Sequence, residues 1–307
     1  MSAEIYCLGE PLAEFVREPD GRWRLGWGGD SCNAAIAAAR QGAKVGYLGA
    51  LGTDLFGDGI VAHWAAEGVD AASVRRNPAA PTGLNFVEPD PAARRFTYVR
   101  KGSAASLYGP DDLDLPALRA ARVLHLSGIT LAVSPTLRAA GLAAMEAARA
   151  AGLTVSLDTN LRLALWSAEA ALETLRRAAA LADTLVTSIE DAEALMGISD
   201  PDAAIDAWAA LGPKTVILTM GAKGSRMLAD GGRVDVPPAP ANPVDSTGAG
   251  DSFAGSFLAW RLELGDPLEA ARRAAIVAAG TVSGYGATAP IPRREAVLAA
   301  RAAAPKA

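Results

Sequence analysis

Pro243-Val244-Asp245-Ser246-Thr247-Gly248-Ala249-Gly250-Asp251-Ser252-Phe253-Ala254-Gly255 reads as a glycine turn that opens into an apolar helix carrying Phe257, Leu258 and Leu262. A helix N-terminus leaves backbone N–H groups unpaired at a positively polarised end. Small residues let an anion approach that backbone closely, so the N–H groups of Gly248, Ala249 and Gly250 can converge on one oxyanion. Asp251, in the first turn, sets a carboxylate beside this anion hole. Phosphoryl transfer needs such a pairing: a base for the acceptor hydroxyl and donors for the charge on the transferred phosphate. On the glycines alone, an ordinary turn capped by an acidic residue accounts for the run equally well.

Working outward, no GxGxxG fingerprint and no GxxxxGK[ST] loop occurs, which disfavours a dinucleotide-dependent oxidoreductase and a P-loop enzyme. The 307 residues are half apolar and one-fifth charged, enough for a large core and unlike a disordered chain. A net charge of −5 with scattered basic residues argues against a nucleic-acid partner. Two cysteines, Cys7 and Cys32, give neither a disulfide framework nor metal-ligand spacing. Residues 2–8 lack the basic flank and long apolar stretch of a signal peptide, and no apolar run is long enough to span a bilayer. The expectation is a soluble protein of the cytoplasm with no membrane partner.

Short apolar runs alternate with alanine-rich helical stretches. Strands are expected at Glu4–Leu8, Lys44–Leu48, Val123–Ser127, Thr154–Asp158, Thr184–Thr187 and Thr215–Thr219. Helices are expected at Asp30–Gln41, Ile60–Glu67, Pro135–Ala151 and Pro201–Ala210, several stopping at Gly42, Gly68, Gly152 or Gly212. This alternation implies an α/β fold, a doubly wound and mostly parallel sheet flanked by helices. Residues 12–28 and 82–101 break the pattern, with alternating strands and turns at Pro19-Asp20-Gly21 and Pro89-Asp90-Pro91. They pair into a small β-sheet lid in this reading, leaving 1–11, 29–81 and 102–307 as the large domain. The exposed edge of such a lid also offers a surface for a homodimer.

The opening run resembles the C-terminal signature of the ribokinase-like (PfkB-type) sugar kinases. Gly28-Gly29-Asp30-Ser31-Cys32-Asn33-Ala34-Ala35, followed by Leu48-Gly49-Ala50-Leu51-Gly52-Thr53-Asp54-Leu55-Phe56-Gly57, resembles the N-terminal one. Two long motifs in the right order are a specific match, and the similarity extends over essentially the whole chain. The resemblance implies a ribokinase-like core with a β lid, Asp251 as catalytic base, an anion hole at Gly248, Ala249 and Gly250, and ATP with Mg²⁺. It leaves a monovalent cation requirement open.

The same resemblance makes Leu218-Thr219-Met220-Gly221-Ala222-Lys223-Gly224-Ser225 the loop on the phosphate and ribose side, with Thr219, Gly221 and Gly224 as nucleotide contacts. Lys223 either reaches a phosphate or points into solvent. The segment from Ala278 through Gly280 to Gly286 resembles one wall of the adenine pocket. Where the family typically has Asn-x-x-Glu, this chain has Ser188-Ile189-Glu190-Asp191, with Glu193 just beyond. Asp191 keeps an outer-shell carboxylate role toward Mg²⁺, which retains several waters; acidic residues at a helix N-terminus account for the segment equally well.

Alternation along Arg95–Ala105 puts Phe96, Tyr98 and Arg100 on one face, and the strand end at Ser156–Arg162 brings a second guanidinium. Two arginines converging from lid and core suit a carboxylate, which guanidinium binds in bidentate fashion; ordinary salt bridges are the alternative. Together with Asp30 after Gly28-Gly29, these segments resemble 2-keto-3-deoxygluconate kinases more than fructokinases or ribokinases. That resemblance implies a sugar-acid substrate held by Gly29, Asn33, Tyr98, Arg100, Arg162 and Asp251. Asn85, where those enzymes often carry an aromatic residue, departs from the pattern. His63 and His125 read as structural. The rivals are a kinase for fructose or another neutral sugar, and a sugar sensor without activity, which has no need of Asp251.

Overall fold

A computed structural model describes residues 3–18, 20–88 and 95–304. Its strands are β1 (Ile5–Leu8), β2 (Leu12–Arg17), β3 (Trp23–Gly28), β4 (Val45–Gly52), β5 (Val69–Asp70), β6 (Val74–Asn77), β7 (Gly83–Glu88) and β8 (Arg95–Val99). They continue as β9 (Val123–Ser127), β10 (Thr154–Asp158), β11 (Thr184–Ser188), β12 (Thr215–Thr219), β13 (Ser225–Ala229) and β14 (Gly232–Val236). Ten strands form one sheet in the order β14-β13-β12-β11-β10-β9-β1-β4-β5, with β6 also on β4. Every pairing from β12 across to β5 and β6 is parallel, and only the β12–β13–β14 end is antiparallel.

Side-chain alternation explains why helices cover both faces. In β1, Tyr6 and Leu8 join one apolar cluster while Ile5 and Cys7 join the other, and in β12 Val216 and Leu218 oppose Ile217. A strand apolar on both sides must be buried on both sides. The helices Pro135–Ala150 and Pro201–Ala209 close the first face, and Asp30–Arg40, Leu55–Glu67, Ala249–Leu264 and Pro267–Val282 close the second. Helix Leu55–Glu67 starts a turn earlier than its apolar pattern suggests, because Asp54 caps it by accepting from the Gly57 N–H at 2.8 Å. It stops at Gly68, which takes up the left-handed conformation at φ 79°.

The second sheet has the order β3-β2-β7-β8 and comes from the two regions that break the α/β rhythm. Its β2–β7 pairing is parallel and its flanking pairs are antiparallel. Phe15 stacks on Phe86 with ring centroids 5.1 Å apart, and meets Phe56 of helix Leu55–Glu67 edge-on at 5.8 Å. That aromatic contact ties the small sheet to the main body. The expected turn at residues 89–91, and Pro19 of the other turn, lie outside the described residues. Among the described residues, no helix is long and apolar enough to cross a membrane.

Candidate active site

The carboxyl ends of the parallel strands open into one cavity of about 940 Å³. Glu10 follows β1, Asp158 ends β10 and Asn160 follows it, Thr187 and Ser188 end β11, and Thr219 ends β12, all in its wall. The strand order reverses between β1 and β9, where an open α/β sheet forms its binding crevice. The second sheet contributes Glu14, Asn85, Phe96 and Tyr98 to the opposite side.

Helix Ala249–Leu264 carries Asp251 in its first turn. Its N-cap, Gly248, sits at φ 77°, where a side chain would be strained, and an added Cβ would lie 2.7 Å from the Ala287 carbonyl oxygen. Gly250 faces open space, leaving its backbone accessible to a ligand. The Ala249 N–H reaches the Ser246 carbonyl at 3.3 Å, so the expected three-amide anion hole begins with one amide already in a long hydrogen bond. Close packing fixes the helix: a Cβ on Gly255 would sit 2.0 Å from the carbonyl oxygen of Ala34 in helix Asp30–Arg40.

Asp251 is held at both oxygens. Asn33 Nδ2 donates to Oδ2 at 2.8 Å and Asn160 Nδ2 donates to Oδ1 at 3.1 Å. Burial, then the nearby charge of Asp30, pushes the carboxyl up to about 7, against the Asn33 hydrogen bond, the Arg162 charge and the Asn160 hydrogen bond. A carboxyl so tuned is a competent general base near neutral pH. Asp30 itself is raised by burial and accepts from Ser127 Oγ. Gly29 precedes it at φ 106°, and its missing Cβ would be 2.3 Å from the Glu10 carbonyl oxygen.

In the same cavity, Arg100 stacks over the Tyr98 ring at 3.9 Å, and Tyr98 stacks on Phe96 with centroids 6.2 Å apart. The expected shared face is therefore present. Arg100 also forms the ordinary salt bridge that was the alternative: its Nε lies 3.3 Å from Glu10 Oε2, with side chains 11% and 1% exposed. Burial pushes Glu10 up to about 7 despite that partner. Arg100 Nε and Nη1 are buried with no well-aligned hydrogen bond. Arg162 lines the same cavity and donates from Nη1 to the Leu161 carbonyl at 2.8 Å. Asn85 is buried against Glu14, donating to Oε2 at 3.2 Å, so this position of the second sheet is polar where an aromatic residue was the comparison.

Asp191 also lines the cavity, where its Oδ2 accepts from Thr159 Oγ1 at 2.6 Å and from the Leu161 N–H at 3.1 Å. It equally sits in the first turn of helix Ile189–Met196, capped by Ser188. Asp158 beside it is raised well above the normal carboxylate range by burial and by the charges of Asp251, Asp191 and Asp30. This concentration of carboxyl groups fits a divalent cation. Among the described residues, no cluster of three His, Cys, Asp or Glu side chains is placed to hold a metal ion.

Gly29, Asn33, Tyr98, Arg100, Arg162, Asp191, Thr219, Gly248, Ala249, Gly250 and Asp251 thus share one cavity. Gly221, Gly224, Ala278 and Gly280 are not part of its wall. Gly221 and Gly224 shape the turn between β12 and β13, at φ 56° and 86°. Ala278 packs on the second apolar cluster, and Gly280 makes room for Pro292, whose Cγ would be 2.2 Å from an added Cβ. Glu10, Asp158 and Asn160 were not singled out by the sequence, although Asn160 stands two residues before Arg162 in a segment recognised as a strand end. His125 is structural, bonded to Ser156 Oγ at 3.1 Å and pushed down to about 4 by burial.

The architecture is that of the ribokinase-like α/β proteins. An Escherichia coli protein assigned as a ribokinase II, solved with ATP and Mg²⁺, superposes with a TM-score of 0.90 at 26% identity, covering 98% of this chain and 99% of that one. The pfkB family carbohydrate kinase profile matches residues 2–294, and the chain belongs to that family. The 2-dehydro-3-deoxygluconokinase of Thermoproteus tenax is 36% identical over 281 residues, 87% of this chain and 84% of the relative. Probable fructokinase-4 of Arabidopsis thaliana is also 36% identical, over 265 residues, 83% of this chain and 81% of the relative.

Proposed function

We propose that this carbohydrate kinase transfers the γ-phosphate of ATP to the terminal hydroxyl of 2-keto-3-deoxygluconate (2-dehydro-3-deoxygluconate). The observation that carries the reading is the polarity of the cavity. It holds a carboxylate base, Asp251, together with Arg100, whose hydrogen-bonding capacity is unused, and Arg162, whose charge also acts on Asp251. A sugar acid has the matching polarity, a hydroxyl at one terminus and a carboxylate at the other.

In this reading Asn33 and Asn160 orient the Asp251 carboxylate, which accepts the proton of the terminal hydroxyl. The hydroxyl oxygen bonds to the γ-phosphorus as the bond from phosphorus to the bridging oxygen breaks and ADP leaves. Gly248, Ala249 and Gly250 face the charge on the transferred group from the helix N-terminus. Arg100 and Arg162 hold the substrate carboxylate, while Gly29 and Tyr98 bound the sugar. Mg²⁺, when bound, neutralises phosphate charge, and Asp158 and Asp191 are the carboxyl groups suited to hold its waters. Thr219 is assigned to the nucleotide side, as are Gly221, Gly224, Ala278 and Gly280, which lie outside the cavity wall. The second sheet, β3-β2-β7-β8, drawn from the regions 12–28 and 82–101, acts as a lid that excludes water from the transfer.

ADP release with Mg-ATP, measured against 2-keto-3-deoxygluconate, its galactonate epimer, fructose and ribose, tests the assignment. The expected outcome is a kcat/KM for one keto-deoxy acid at least about a hundredfold above either neutral sugar, the scale of an unpaired charged hydrogen-bonding site. Preferential turnover of fructose, the substrate class of the equally similar plant relative, would overturn it.

A further inference from the structure

We propose that Arg40, on the far side of helix Asp30–Arg40 from the cavity, is a positioning residue for phosphoryl transfer that holds the anion-hole loop in shape. The helix has two working ends. Its first turn carries Asp30 and Asn33, the latter bonded to Asp251. Its last residue, Arg40, is buried: the side chain is 7% exposed and pairs with Glu67, itself 9% exposed. The pair is bidentate, Nε to Oε2 and Nη2 to Oε1, both at 2.8 Å.

The remaining nitrogen, Nη1, donates to the carbonyl oxygens of Thr288 at 2.8 Å and Ile291 at 2.6 Å, with Ala289 at 3.4 Å. Gln41 adds a bond to the Pro292 carbonyl at 2.9 Å, and Arg294 returns one to the Gln41 carbonyl at 2.6 Å. Segment 288–292 is therefore moulded around the end of this helix. One guanidinium, flat and permanently charged, satisfies a carboxylate and the loop carbonyls together, which a lysine ammonium cannot do.

Residues just before that segment support the anion hole. The Ala287 carbonyl oxygen lies only 2.7 Å from where a Cβ of Gly248 would be, so it packs closely against the turn into the catalytic helix. The Gly286 N–H donates to Asp245 Oδ2 at 3.0 Å, and Asp245 Oδ1 accepts from the Thr247 N–H at 2.7 Å. Releasing residues 288–291 frees Ala287 and Gly286, and with them the backbone from Thr247 to Gly250. Asp251 keeps its own two asparagine donors, so the loss falls on the donors facing the transferred phosphate. A misplacement of about 1 Å in such a group costs on the order of a hundredfold in rate.

The catalytic arm rests on the proposed phosphate-binding role of Gly248–Gly250, so the test pairs kinetics with amide hydrogen exchange, which needs no substrate. Arg40→Met is expected to lower kcat by about ten- to a hundredfold with the acceptor KM changed less than about threefold. Exchange in peptides covering 244–251 and 284–292 should quicken while the sheet strands hold. Glu67→Gln damages the same buried pair but leaves the carbonyl contacts, so it should lower the melting temperature and keep kcat within about threefold. Should Arg40→Met fail to fold, Arg40→Lys, which preserves a cation opposite Glu67, is expected to show the same kcat loss in weaker form. Unchanged exchange in 244–251, or equal kcat losses in Arg40→Met and Glu67→Gln, would overturn the proposal. If no sugar is phosphorylated, the exchange result alone decides the structural coupling.

Discussion

Asp251 and Arg100, both in the cavity wall, hold their charges in opposite ways. Around Asp251 each carboxylate oxygen has a donor, from Asn33 and from Asn160, and the helix that bears it is locked by backbone contact with its neighbour. Around Arg100 the charge is balanced by Glu10, yet Nε and Nη1 lack aligned acceptors inside a buried site. A buried donor without an acceptor costs roughly 1–3 kcal/mol, more when charged. The contrast separates a group whose partners are complete in the free protein from one that keeps donors open. The finished group suits chemistry, which needs preorganisation, and the unfinished group suits recognition.

The comparison breaks most decisively at Asp251. Asp251→Asn is expected to lower kcat by about 10²–10⁴-fold, the range for a positioned general base, with little change in KM for ATP; steady-state rates with saturating acceptor check it. The same substitution removes a buried charge. Because folding raises the Asp251 pKa from 3.8 to about 7, its ionisation increasingly opposes folding as pH rises through that window. The melting temperature of Asp251→Asn should therefore exceed that of the parent by a margin that grows between pH 4 and pH 8. Asn33 can turn its amide to receive the new donor, since its Oδ1 has no hydrogen bond.

Next in size is the effect expected at Arg100. Removing Arg100 alone would strand Glu10, so the informative variant pairs Arg100→Met with Glu10→Gln. Its KM for the keto-deoxy acid should rise about ten- to a hundredfold, from charged hydrogen bonds worth roughly 1.5–3 kcal/mol, with kcat altered less. A KM unchanged in the pair would mean that the unfinished donors are not where the substrate carboxylate binds.

The smallest effect tests how finished the Asp251 group is. Asn160→Gly tolerates the φ of 33° at that position while deleting the donor to Oδ1. That donor holds the Asp251 pKa down, so its loss moves the acid limb of the kcat profile to higher pH. Activity should drop several-fold more at pH 6 than at pH 9, measured against the parent across that range.

Much of this was legible in the chain. The β-α rhythm predicted six strands, and each lies within a residue or two of its observed start, because a strand buried on both faces is an unbroken apolar run. β4 ran on furthest, to Gly52, through glycines that carry no pattern, and β11 ran on by one residue, to Ser188. Helix ends were readable where a glycine or a capping residue punctuates them. The order of β-like segments in 12–28 and 82–101 indicated a separate small sheet, and the register that makes β2 and β7 its parallel centre is seen only in the folded chain.

What the sequence alone determined is the set of local chemistries. It specified a glycine turn opening an acidic helix, paired arginines near strand ends, and an all-apolar sheet core, since these depend on neighbours along the chain. Tertiary structure decided which groups share an environment. Glu10 against Arg100, Asn160 against Asp251, and Arg40 against residues 288–291 are separated by 90, 91 and up to 251 positions. Their hydrogen bonds, burial and shifted pKa values arise from contacts that no local pattern encodes. The elevated pKa of Asp251 is the clearest instance, because it depends on burial and on a second carboxylate brought in by another helix.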